Sequence, residues 1–273
     1  MTRFVTACLL ALAGLLAPFA TAPASAQAER CPKLVAGSPF LAPPEPRALP
    51  AAYLQPREVS LSYIGHSTFL IETVGGVTVA TDYNDYARPD VVPRVATMNR
   101  AHLTHYSLNP DPGIEYVLKG WREDRDPVHY DMEVGDLWIG NLQTNIRDWE
   151  GGTIRNGNSI FVFRAADLCI AHLGHLHHLL TEQDLGALGR IDVVLAPVDG
   201  SYTLDVDGMV EVLKKLESPV VIPMHYFNQA TLERFLEHFA SSKYAIRREN
   251  SPTLVLSRAS LPTQPTVIVL PGH

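Results

Sequence analysis

Apolar runs in this 273-residue chain repeatedly end in a histidine or an aspartate. His66 follows Ile64-Gly65, Asp82 follows Thr81, His105 follows Leu103-Thr104, His175 follows Leu173-Gly174, Asp199 follows Pro197-Val198, and His225 follows Pro223-Met224. Short runs rich in Val, Ile and Leu and bounded by Gly or Pro read as strands. Polar groups at the ends of neighbouring strands gather at one edge of a sheet, where they can share a site. The strand candidates are 59–64, 68–72, 77–81, 101–104, 137–142, 159–163, 168–172, 191–196, 220–222 and 253–257. Helices come later in the chain. Met209, Val212, Leu213 and Leu216 share one helical face within Asp205 to Leu216, and Leu232, Phe235, Leu236 and Phe239 repeat at the same period. Both stripes are packing surfaces. Strand runs followed by strand-helix alternation give an α/β domain of two sheets with helices outside, and 46% hydrophobic content is ample for its core.

The densest polar segment is Ile170-Ala171-His172-Leu173-Gly174-His175-Leu176-His177-His178, with four imidazoles directly after a strand-like run. Imidazole is the commonest metal ligand in proteins and titrates nearest neutral pH, so the cluster points to a metal or acid/base site. His172 belongs to the strand and reads as structural.

At the N-terminus, Arg3 precedes an apolar run from Phe4 to Ala20, and Ala24-Ser25-Ala26 precedes Gln27. This is the pattern of a secretory signal peptide over residues 1–26, so the chain reads as exported, periplasmic or secreted, with no membrane span after cleavage. Residues 27–57 form a Pro-rich leader, and 58–273 a single domain with an extended C-terminal tail. Cys8 leaves with the peptide, so Cys31 and Cys169 remain and permit one disulfide, which the sequence leaves open. A formal net charge of −7 without a Lys/Arg block excludes nucleic acid as a partner. There is no Gly-x-Ser-x-Gly elbow and no Walker loop.

Gly65-His66-Ser67-Thr68-Phe69-Leu70-Ile71-Glu72, Leu103-Thr104-His105, Ile170-Ala171-His172-Leu173-Gly174, Pro197-Val198-Asp199-Gly200 and Ile222-Pro223-Met224-His225 resemble segments of the metallo-β-lactamase-fold hydrolases, and among them the ascorbate-6-phosphate lactonase-like branch. The resemblance runs from about Val59 to Ser257 with the segments in family order. It implies a four-layer αββα sandwich with a metal centre at one edge, where a metal-activated water attacks an ester, lactone, amide or phosphodiester. The family pattern Thr-His-x-His-x-Asp-His, set on Thr104-His105-Tyr106-Ser107-Leu108-Asn109-Pro110, keeps only its first histidine. Arg147 falls where a further family histidine belongs, and Gly174-His175 replaces the Gly-Asp that supplies a bridging carboxylate.

The matched metal positions are then His105, His175 and His225, with His66, His177 or His178 as a fourth ligand. An imidazole bridges two cations poorly, so the resemblance implies one metal ion, not two. Neutral imidazoles suit Zn, with Cu and Fe as options. In a hydrolase His178 would carry the proton, and Asp82, Asp199 and Tyr106 would orient imidazoles. The partner is a small-molecule substrate, and Arg147 would suit an anionic one. Two alternatives stay open: a non-catalytic metal- or ligand-binding descendant of the fold, and a His-ligated iron or copper redox protein.

Overall fold

The computed structural model describes residues 54–148, 150–240 and 242–272. The expected signal peptide, Cys31 and nearly all of the Pro-rich leader lie outside the described residues. Chain order begins with β1 (Glu58–Gly65), β2 (Thr68–Thr73), β3 (Thr78–Ala80), β4 (Val95–Met98) and β5 (Tyr116–Lys119). It continues with β6 (Asp131–Val134), β7 (Leu137–Arg147), β8 (Thr153–Ala165), β9 (Leu168–His172), α1 (Glu182–Leu188), β10 (Val193–Pro197), α2 (Val206–Leu216), β11 (Val220–Met224), α3 (Gln229–Glu237) and β12 (Ala245–Arg248). β13 (Thr253–Ser257) and β14 (Thr266–Val269) complete it. One sheet has the order β13-β1-β2-β3-β4-β5 and the other β12-β14-β11-β10-β9-β8-β7-β6.

Alternation along the strands builds the layers. Phe161 and Phe163 on β8, Leu168 and Ile170 on β9, and Val193 and Leu195 on β10 face Val59, Leu61, Phe69 and Ile71 of the first sheet. Their neighbours Ile160, Val162, Cys169, Ala171, Val194 and Ala196 point the other way and meet Met209, Val212, Leu213, Leu232 and Phe235 of the helices. This period of two on strands buried on both faces is what a sandwich with an outer helical layer requires. Among the described residues all three helices join that one outer cluster. The outer face of the first sheet, with Ala80, Ala96 and Met98, is closed instead by Tyr83, Ile114 and Trp121 from connecting segments. The αββα sandwich is thus helical on one flank only within these residues.

Several expectations differ from the structure, and β5, β6 and β12 lie outside the strand candidates. Residues 101–104 are not a strand; the strand of that region is β4, ending at Met98. Thr266–Val269, read as tail, is a parallel strand inserted between β11 and β12. Helix α1 was not foreseen, although Thr181 and Asp184 form a capping box, each side chain answering the other's backbone N–H.

β9, β10, β11 and β14 run parallel, so their C-terminal ends share one edge. In the first sheet β1 and β3 are both antiparallel to β2, and β4 runs parallel to β3, which aligns the ends of β1, β3 and β4. The two edges meet. The His225 backbone N–H donates to His66 O at 2.7 Å, and Tyr63 Oη donates to the same carbonyl at 2.9 Å.

Candidate metal centre

Each strand of this edge delivers one or two polar side chains. His66 leaves β1, Asp82 leaves β3, and Asn99, His102 and His105 leave β4. His175 follows β9, Asp199 follows β10 and His225 follows β11. His66, Asp82 and His225 all take left-handed backbone conformations, with φ of 52°, 42° and 56°. Such backbones cost free energy for residues other than Gly and collect where a site demands a side-chain direction the strand alone would not give.

His66, His102, His105 and His225 each place one ring nitrogen within 4.8 Å of all the others. His105 Nε2 lies 3.0 Å from His225 Nε2. The outward nitrogens are tied, which decides where the lone pairs point. His105 Nδ1 donates to Asp82 Oδ2 at 2.5 Å, so its Nε2 faces inward as an acceptor. His102 Nδ1 lies 2.7 Å from Thr104 Oγ1. His225 Nδ1 stands 3.0 Å from Asp199 Oδ1, at ion-pair distance though off the line of a good hydrogen bond. His66 Nε2 is buried and has no hydrogen-bond partner. Four imidazoles with convergent nitrogens, one of them orphaned, fit a transition-metal ion, whose imidazole ligands sit at about 2.0–2.1 Å from zinc. Carboxylates behind histidines are the usual support of such ligands.

Protonation favours the same reading. Burial first, and then the His225 and His102 neighbours, lower His66 to about 3. Burial also drives His105 and His175 well below the ordinary histidine value and lowers His102. His66, His102 and His105 are therefore held towards the neutral form that metal binding requires. Burial pushes the Asp82 carboxyl up, against the Asn99 amide that donates to its Oδ1 at 2.9 Å. Burial acts on Asp199 in the same sense, but the His225 imidazole and donors from Thr203 and Ser201 hold it well below the usual carboxylate range.

His175 occupies a neighbouring place with a different hydrogen pattern. The Arg147 backbone N–H donates to His177 Nδ1 at 2.8 Å, and an amide cannot reverse that role. His177 must then carry its hydrogen on Nε2 and donate it to His175 Nδ1, 2.7 Å away. Neutral His175 is left with its hydrogen on Nε2, which lies 3.0 Å from His102 Nε2. His175, a candidate ligand from the sequence, stands beside the four convergent imidazoles with its Nε2 towards His102.

The remaining candidates spread out. Asp82 stands behind His105 and does not enter the cluster. His178 is half-buried beside His177, their ring centroids 6.4 Å apart, and its Nε2 has no partner. Tyr106 packs on Trp121 at 5.5 Å. Arg147 is exposed and acts on His177 and His178. His172 donates from Nε2 to Ser67 O at 2.8 Å and accepts from Gly174 N–H at 3.2 Å, a bridge between the sheets.

His102 is the residue that sequence reading missed, and the cause is register. The run that directly follows β4 is Asn99-Arg100-Ala101-His102-Leu103-Thr104-His105. Set on Thr-His-x-His-x-Asp-His, it puts His102 and His105 at the second and last histidines, with Arg100 at the first and Thr104 at the aspartate. The uninterrupted run Val95-Ala96-Thr97-Met98 after Pro93 was the signal for the true strand end.

Comparison with known proteins agrees with this fold. Residues 60–225 match the model of the β-lactamase superfamily domain. A UPF0173 metal-dependent hydrolase of Archaeoglobus fulgidus is 31% identical over 207 residues, 66% of this chain and 89% of that protein. One from Thermoplasma volcanium is 46% identical over 57 residues, which is 21% of this chain and 26% of the relative. Among solved structures, a Thermotoga maritima protein described as a Zn-dependent hydrolase of the metallo-β-lactamase superfamily superposes with a TM-score of 0.58 at 27% identity. That match covers 79% of this chain and 100% of the other.

Proposed function

The chain belongs to the β-lactamase superfamily domain family, and from that premise we propose that it is an exported metal-dependent hydrolase working with one transition-metal ion. The observation that carries this reading is the convergence of His66, His102, His105 and His225, with Nδ1 of His102 and His105 hydrogen-bonded and His66 Nε2 and His225 Nδ1 buried without a hydrogen-bond partner. One ion is favoured over two because His175, in the place of a bridging carboxylate, turns an N–H inward. Zinc suits four neutral imidazoles, and the Thermotoga relative is described as Zn-dependent; copper and iron share the preference for imidazole. When bound, such an ion supplies Lewis acidity and brings the pKa of water towards neutrality.

The chain's own groups do the rest. Asp82 and Thr104 fix the tautomers of His105 and His102 in advance, with each Nε2 turned inward as an acceptor. His177 holds His175 in the tautomer that turns its Nε2–H towards His102 Nε2, 3.0 Å away; with that nitrogen on a metal, the N–H would be left to donate to a substrate carbonyl or phosphoryl oxygen. His178, half-buried with a free Nε2, carries the proton between this relay and solvent. The substrate class is a lactone, ester or phosphodiester. Export is supported by the N-terminal apolar run and by Cys169, which is disulfide-bonded.

The test pairs metal analysis with turnover. Protein purified without added metal is expected to hold about one equivalent of a transition metal, and His105→Ala to lose both the metal and hydrolysis of a panel of lactones, aryl esters and phosphodiesters. Metal below about 0.2 equivalents in the wild type would sink the reading. Metal retained without turnover on any class would leave a binding protein instead.

A further inference from the structure

Two aromatic rings stand in the open beside the imidazole cluster. Tyr202 is 54% and Phe227 55% exposed, and the rings meet edge to face at 5.6 Å. Tyr202 lies 6.4 Å from His102, and Phe227 lies 5.8 Å from His225 and 6.3 Å from His66. Between them they border three of the four convergent imidazoles.

Their backbones are held by the groups that hold the site. The Asp199 carboxylate accepts from the Ser201, Tyr202 and Thr203 amides at 2.9, 2.5 and 3.3 Å, while its other oxygen faces His225. Phe227 is pinned between Tyr226, whose hydroxyl donates to Leu270 O at 3.5 Å, and Asn228, which caps α3. A large ring left in water on a fixed backbone next to buried ligating groups is a contact surface prepared in advance.

Charge does not select the ligand. Asp82 stands behind His105 and Asp199 beside His225, while the Arg234 guanidinium donates to Asp199 O at 2.9 Å, so groups of both signs border the mouth and the exposed rings are its distinctive contact.

We infer that Tyr202 and Phe227 form an aromatic clamp for the flat, uncharged part of the substrate, and that the site acts on aryl esters or aryl lactones in preference to their small alkyl counterparts. The inference rests on the hydrolase reading and narrows its substrate class. The two rings, in edge-to-face contact with each other, form a corner against which the substrate's aryl group stacks, placing the adjoining carbonyl over the four imidazoles.

The experiment compares metal-loaded full-length wild type with Tyr202→Ala, Phe227→Ala and the double variant. Both side chains are exposed, so truncation removes no core contact and the variants fold. Metal content, kcat and KM are measured with 1-naphthyl acetate, methyl acetate and bis(4-nitrophenyl) phosphate, and 2-naphthol binding is measured by NMR on metal-loaded and metal-free protein. The double variant is expected to keep its metal and to raise KM for 1-naphthyl acetate about tenfold. Its kcat changes less than about threefold, methyl acetate kinetics stay as in wild type, and naphthol affinity falls by the factor seen in KM. An unchanged KM for the naphthyl ester, loss of metal from the double variant, or a wild-type kcat/KM for methyl acetate as high as for 1-naphthyl acetate overturns the inference. Should wild type turn over none of the three, the hydrolase reading fails separately. Naphthol binding then decides the clamp alone: weakened in the double variant it stands, unchanged it falls.

Discussion

His177 receives a hydrogen bond from a backbone amide, and that single contact sets the hydrogen positions of two further rings. His175 and the four convergent imidazoles therefore respond differently to mutation. His175→Ala should keep about one metal per chain, while kcat falls on the order of 100-fold, the loss typical of one donor to a developing oxyanion. Loss of the metal from this variant, read by elemental analysis, would return His175 to the ligands. Asp82 offers the complementary case. Its left-handed backbone, φ 42°, is one that Asn also tolerates, so Asp82→Asn should fold. It removes the charge behind His105, and metal affinity should drop about 10–100-fold in a competition titration with a chelator.

Among the elements, those buried on both faces were the most legible from sequence. β9, β10 and β11 are continuous apolar runs ending in Gly or Pro and a polar residue, and the structure places them as expected. The β4 loop was not legible in the same way, because Ala101-His102-Leu103-Thr104 alternates apolar and polar residues as an exposed strand does, while Val95–Met98 lies within a Pro-bounded stretch. The mistake moved the metal pattern along the chain and hid His102. Tyr202 and Phe227 carried no periodicity at all, and only the folded loops bring them to the site. Gly174 shows an element boundary where residue type is dictated. Its φ is +60°, and an added Cβ would press on Asn158 Oδ1 and Asn99 Nδ2, the amides that hold the His175 backbone and the Asp82 carboxylate. Gly174→Ala should destabilise the fold by more than about 1 kcal/mol in urea unfolding and loosen the metal site as well.

For the whole molecule, neutral buried histidines make stability depend on pH in one direction. His177 is lowered to about 4, chiefly by burial and then by Arg147, and His66 to about 3, against 6.5 for an ordinary histidine. The unfolded chain binds protons that the folded chain refuses, so the stabilisation is complete above pH 6.5 and is lost as pH falls towards 4 and below. The urea midpoint of metal-free protein should hold steady from pH 8 to 7 and decline from 6.5 to 4, with a shallower decline in His177→Gln; a flat profile across that range would contradict the buried-neutral assignment. The same edge has a mechanical role. The amide of His225 is bonded to the carbonyl of His66, and the ring of His172 to the carbonyl of Ser67, so the sheets are stitched together where the imidazoles meet. Hydrogen exchange at the His225 amide should proceed only through global unfolding, slower than at strand ends on the far side of the sandwich. An ion held there would lie beside the two exposed rings, and its release should be timed by the mouth while the sheets stay closed.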